Sequence, residues 1–131
     1  MKNKLYINSK IEVRKSLVHG YGVFAKKDIN KGEVREECHY VKLINGADKN
    51  LYKYVFSWPK HDRKDLKREN IQYLTIPFGY ACIYNSSLED GENNADWETD
   101  ITNNLYRFKS IKDICADTEI LTYYGDAYWI K

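Results

Sequence analysis

Apolar and polar residues alternate in short runs along most of this chain, the period of two that builds strands with one buried face. Candidate strands cover residues 11–18, 22–25, 33–44, 71–76, 80–84, 104–111 and 119–124, separated by Gly, Asn, Asp and Pro. The cleanest lies at 104–109, where Tyr106 and Phe108 alternate with Arg107 and Lys109. Helical spacing is confined to two stretches. In 47–57, Leu51, Tyr54 and Val55 recur three to four residues apart, which allows one or two turns before Pro59. Residues 61–70 mix both charge signs and read as a solvated loop or short helix, while 89–96 read as a polar loop.

Composition narrows the class. With 131 residues, 43% of them hydrophobic and 15% aromatic, residues 1–131 suit a single domain that folds without staples. Basic and acidic residues number 21 and 19, a net charge of +2, which argues against a dedicated nucleic-acid binder. Cys38, Cys82 and Cys115 are an odd number and far apart, which predicts reduced thiols in a cytosolic setting and no zinc site. Cys82 and Cys115 have apolar neighbours and are expected in the core. The apolar run Leu5-Tyr6-Ile7 is too short for a signal peptide, and no membrane span is expected.

Three segments hold the candidate chemistry. Near the C-terminus, Ile120-Leu121-Thr122-Tyr123-Tyr124-Gly125-Asp126-Ala127-Tyr128-Trp129 runs an apolar strand into a glycine turn flanked by tyrosines. A strand sealing the core accounts for it as well as an aromatic channel does. His19-Gly20-Tyr21-Gly22-Val23-Phe24-Ala25 has two glycines that let backbone approach a ligand, although a plain turn needs the same residues. It lacks the third glycine of a dinucleotide fingerprint and the Gly-Lys-Ser/Thr of a P-loop. Gly79-Tyr80-Ala81-Cys82-Ile83-Tyr84-Asn85-Ser86-Ser87 is an apolar run ending in small polar residues. Finally, Lys27-Asp28-Ile29 and Lys112-Asp113-Ile114 each precede a short turn, a Glu and an aliphatic residue, an internal echo too brief for a repeat protein.

In this order, G-Y-G-V-F-A-K-K-D-I-x-K-G-E-V, Y-N-S-S with Asn94-Ala95, and E-I-L-T-Y-Y-G-D-A-Y-W resemble the SET domain family of protein lysine methyltransferases over about residues 10 to 130. The likeness is to the minimal SET proteins of large DNA viruses and bacteria. It implies a mainly β fold, the β-clip of several short sheets with little helix and a C-terminal segment threaded as a pseudoknot. It also implies S-adenosylmethionine as cofactor and a lysine-containing protein or peptide as substrate, histone tails among the candidates. The acidic residues Glu89, Asp90, Glu92, Asp96, Glu98 and Asp100 would attract such basic tails. The setting implied is cytoplasmic, or the host nucleus if the chain is viral. Family members often carry a cysteine-rich segment after the domain; here Tyr128-Trp129 or a second subunit would close the site, so a homodimer is one expectation.

The resemblance also assigns roles. Tyr124 would align the methyl group and the amine. Gly20, Tyr21 and Gly22 would meet the cofactor through backbone, Asn85 would hold its methionine part, Ser86 would lie near the adenine, and Trp129 would pack beside it. Tyr54, Tyr128 and Thr122 would line the lysine channel, and Thr122, standing where the family tends to have an aromatic, leaves room for more than one methyl group. Two positions depart from the family pattern. Asn85-Ser86-Ser87 replaces Asn-His-Ser, and six residues rather than three separate Ser87 from Asn94. A SET-like module that binds a partner without turnover is the alternative.

Overall fold

The computed structural model describes residues 4–44, 49–51, 54–60 and 73–123. Among them lie ten strands: β1 Ile11–Lys15, β2 Tyr21–Ala25, β3 Val34–Cys38, β4 Tyr40–Leu43, β5 Phe56–Trp58, β6 Tyr73–Pro77, β7 Asn85–Ser86, β8 Ala95–Asp100, β9 Leu105–Ser110 and β10 Leu121–Thr122. They form four small sheets, ordered β1-β2, β10-β7, β3-β9-β8 and β4-β6-β5. All pairs are antiparallel except β10 with β7. The fold is mainly β, as the alternation predicts.

The core joins aliphatic residues of β1, β2 and the turns at Ile29 and Ile114 to an aromatic layer contributed by the two three-stranded sheets. Strand β9 turns Tyr106 and Phe108 inward, both fully buried, and β4, β5 and β6 answer with Tyr40, Phe56, Trp58 and Thr75. Tyr40 stacks on Trp58 with ring centres 4.5 Å apart, and Phe56 meets Tyr106 edge-on at 5.7 Å. The Tyr106 hydroxyl donates to the Ser57 carbonyl at 2.8 Å and lies 2.6 Å from Thr75 Oγ1. Each buried ring contributes on the order of 1.5–3 kcal/mol, and the Tyr106 phenol, so paired, escapes the cost of an unsatisfied polar group.

The Lys-Asp-Ile echo has a structural basis. Ile29 and Ile114 exchange backbone hydrogen bonds of 2.8 Å in both directions. Asp28 accepts from the Ala116 N–H at 2.9 Å, and Asp113 accepts from the Lys31 N–H at 2.7 Å. Each turn therefore caps the other.

Several sequence expectations are corrected. The single strand 33–44 breaks at His39 into β3 and β4, which join different sheets. Residues 80–84 form turns because they wrap a buried carboxylate: the Tyr80 N–H and the Tyr84 hydroxyl both donate to Glu36, at 3.0 and 2.5 Å. The buried Arg35 guanidinium lies over the Tyr84 ring, 4.5 Å from its centre. Among the described residues of 47–57, helix is limited to a 3-10 turn at Lys49–Leu51, and Phe56-Ser57-Trp58 is a strand because its two rings share the core face. The solvated loop or short helix expected at 61–70 lies outside the described residues. Residues 95–100, whose acids masked a strand, are β8. Cys115 is exposed rather than buried, since Ile114 takes the inward position of that turn; Cys82 is half-buried.

Candidate functional site

Residues 118–122 run between two neighbours. On one side they bond to β2, through the Ala25 N–H to the Thr118 carbonyl at 3.0 Å and the Ile120 N–H to the Val23 carbonyl at 2.8 Å. On the other, Leu121 and Thr122 pair in parallel with Asn85 and Ser86, and the Ser87 N–H reaches the Thr122 carbonyl at 2.7 Å. Asn94 completes the grip. Its Nδ2 donates to the Glu119 carbonyl at 3.0 Å, and its Oδ1 accepts from the Leu121 N–H at 2.8 Å. Three segments remote in sequence thus meet along residues 118–122.

The Gly20-Tyr21-Gly22 turn faces this meeting point. Gly20 has φ +46°, in the left-handed region that suits glycine, and its carbonyl accepts from the Ser16 N–H at 2.7 Å. Gly22 serves a different end. A Cβ there would lie 2.1 Å from Glu119 Oε2 and 2.9 Å from Asn85 Nδ2, so two polar side chains close directly over the bare Cα. Asn85 Nδ2 faces Glu119 Oε2 at 2.8 Å, the His19 carbonyl at 3.0 Å, and Ser16 Oγ and the Tyr21 carbonyl both at 3.2 Å.

Side chains alternate across β7, so Asn85 and Ser86 point to opposite faces. Asn85 joins the glycine turn; Ser86 and its partner Thr122 are both buried. The Ser86 hydroxyl donates to the Ser87 carbonyl at 2.9 Å. Thr122 Oγ1 is buried and, among the described residues, has no hydrogen-bond partner. The Tyr21 side chain is exposed, and its backbone takes part in the cluster. Tyr54 is exposed at 44%, just ahead of β5, with its carbonyl accepting from Cys82 Sγ at 3.5 Å, and no described contact joins it to Asn85. Tyr124, Tyr128 and Trp129 lie outside the described residues.

Sequence reasoning missed Glu119 and Ser16. The signal was available: Glu119 is the one charge at the head of the apolar run it introduces, a position that a strand sealing a core would not need to charge. The expected acidic lure for basic tails is partly neutralised. Asp96 pairs with Lys60 at 2.8 Å, Glu98 with Lys109 at 2.9 Å, and Asp100 with Arg107 at 2.7 Å.

A SET domain model matches residues 20–125, which takes in the glycine turn, Asn85 and the segment gripped by Asn94. The chain belongs to the SET domain family. No curated protein sequence matches it significantly. Among solved structures, a Plasmodium falciparum protein provisionally designated a histone methyltransferase is 31% identical, with TM-score 0.67 over 94% of this chain and 99% of that one. The methyltransferase domain of human PR domain-containing protein 2 aligns with TM-score 0.64 and 19% identity, over 91% and 79%. Chaetomium thermophilum PRC2 bound to S-adenosylmethionine aligns with TM-score 0.61 and 22% identity; the match covers 88% of this SET chain and 15% of that one.

Proposed function

We propose that this SET domain transfers a methyl group from S-adenosylmethionine to the side-chain amine of a lysine in a protein or peptide, with histone tails the first substrates to try. One observation carries the reading: the glycine turn, Asn85 and the 118–122 segment converge; in the sequence, Tyr124 follows two residues after that segment. The residues present suit the cofactor. The site combines backbone carbonyls, an amide and a carboxylate, a set of groups fit for a ligand carrying ammonium and sulfonium charges. When bound, S-adenosylmethionine supplies an activated methyl on a positively charged sulfur.

The chain's own residues then have three tasks. Tyr21, Gly22 and Asn85 bind and orient the donor. Tyr54, Tyr128 and Thr122 would line the lysine channel and exclude water, which favours the neutral amine of a group whose free pKa is about 10.4. Tyr124 would align that amine by its hydroxyl; a phenol with pKa near 10 is a poor base at neutral pH, so its contribution is orientation and electrostatics. The partner-binding alternative draws on Ser86, whose hydroxyl is engaged with backbone.

Calorimetric titration with S-adenosylmethionine, followed by mass spectrometry of histone-tail peptides, tests the reading. Tyr124→Phe should lower turnover by at least about tenfold with cofactor affinity little changed, because the interaction belongs mainly to the transition state. Equal activity in that variant would remove Tyr124 from the mechanism, and absence of cofactor binding in the parent would leave the binding-module alternative standing.

A further inference from the structure

We infer that Glu119 is a positioning residue of the donor site: it fixes which way the Asn85 amide faces and ties that amide to the turn ahead of Gly20. The inference rests on the S-adenosylmethionine reading above and deepens it. Glu119 Oε1 accepts from Ser16 Oγ at 2.7 Å and Oε2 from Asn85 Nδ2 at 2.8 Å. Both donors are neutral, and among the described residues no salt bridge reaches this carboxylate. Ser16 Oγ in turn accepts from the Val18 N–H at 2.9 Å and the His19 N–H at 3.3 Å, so one carboxylate organises the loop and the asparagine together.

The amide orientation follows from charge. Its nitrogen faces a carboxylate, a hydroxyl and two carbonyls; an amide oxygen in that place would meet three oxygens that cannot donate. Two hydrogens cannot serve four acceptors fully, and the bond to the charged oxygen is the shortest and the strongest kind. Glu119 therefore sets Nδ2 toward the turn and Oδ1 away from it. An asparagine held this way offers an acceptor, the group that an ammonium needs. Gly22 fits the same design, because any side chain there would displace Glu119 Oε2.

The test is a double-substitution cycle read by calorimetry. S-adenosylmethionine and methylthioadenosine, which lacks the amino-acid half, are titrated into the parent, Glu119→Ala, Asn85→Ala and the double variant. We expect Glu119→Ala to weaken S-adenosylmethionine on the order of tenfold, as loss of a charge-assisted bond implies. Methylthioadenosine should change by less than about twofold, and Glu119→Ala should add nothing once Asn85 is Ala. Equal losses for both ligands, additive losses, or unchanged S-adenosylmethionine affinity would overturn the inference. Should Glu119→Ala not fold, Glu119→Gln, which keeps the shape, is expected to give a smaller loss with the same ligand pattern. A parent that binds neither ligand would defeat the methyltransferase reading. The Asn85 side-chain amide resonances then decide the positioning role alone: a shift in the Glu119 variants supports it, and unmoved signals overturn it.

Discussion

Strand β9 is held along both edges, by β3 over Val34–Cys38 and by β8 over all of Leu105–Ser110, whereas among the described residues β10 pairs with β7 through Leu121 and Thr122 only. What β10 lacks in ladder is supplied by side chains: Asn94 bonds to its backbone on two sides, and Glu119 ties its start to Ser16 and Asn85. The two regions also treat charge differently. On β9, Arg107 meets Glu37, Glu98 and Asp100, so its charge is satisfied within the sheet. Around β10, Glu119 meets neutral donors and Thr122 Oγ1 meets none among the described residues. Long ladders with paired charges make a frame. Short ladders held by polar side chains leave hydrogen-bonding capacity available to a ligand.

Removing Arg107 should break the frame side of this contrast. Glu37 has a nearly buried side chain, and Arg107 binds it through Nε at 3.1 Å and Nη2 at 3.0 Å. Arg107→Ala leaves that carboxylate without its guanidinium, a change expected to cost about 3–5 kcal/mol. The loss should depend on pH. Burial pushes the Glu98 carboxyl up, but hydrogen bonds and charge from Lys109 and Arg107 outweigh it and hold the group below its usual range. Hydrogen bonds from Asn103 and Arg107 hold Asp100 well below that range too. Carboxyls with lowered folded pKa contribute stability in full above their unfolded values, near about 4, and lose it as pH falls through the folded ones. The melting-temperature gap between parent and variant should be widest near neutrality and narrow in acid. A gap independent of pH would mean these pairs are not what Arg107 contributes.

A smaller loss is expected where side chains replace ladder. Asn94→Ala leaves the Leu121 N–H and the Glu119 carbonyl without that partner, a cost of about 1–3 kcal/mol. Its effect should be local. Amide hydrogen exchange at 119–122 should accelerate while β9 amides stay protected, and S-adenosylmethionine affinity should fall. Uniform acceleration through both regions would show that β10 is part of the frame and that the contrast fails.

The same contrast explains what the sequence disclosed. Frame elements follow local rules, so Tyr106 and Phe108 could be placed on the core face from alternation alone. The glycine turn and Asn85 were legible because their residue types are unusual in sequence, and the SET resemblance gave their order. The grip of Asn94 and Glu119 on 118–122 depends on pairs 25 to 103 residues apart, for which no local periodicity exists. β8 was hidden for a related reason: its acids look like loop residues until the bases opposite them on β9 are known. The turns at 80–84 were misread as strand because the carboxylate they wrap, Glu36, lies more than forty residues earlier.

The least disruptive change probes whether the site region has spare room. Ser86 stands where the family pattern has histidine, and it is buried at 2% exposure with its hydroxyl bonded to the Ser87 carbonyl. Its β10 partner, Thr122, is equally enclosed. A pocket that had merely lost an imidazole would leave a small side chain beside open space reaching solvent or ligand; burial on this scale points to neighbours that have closed in. Ser86→His is therefore expected to overfill the site, at about 1–3 kcal/mol, the low end if the neighbours yield. Melting temperature and S-adenosylmethionine affinity should both fall, with β9 amides unaffected. One contact argues the other way, because an imidazole N–H placed near Thr122 would give a donor to its Oγ1, which has no partner among the described residues. A variant that binds the cofactor more tightly and melts no lower would show that this donor outweighs the crowding, and that the site region keeps room which the frame does not.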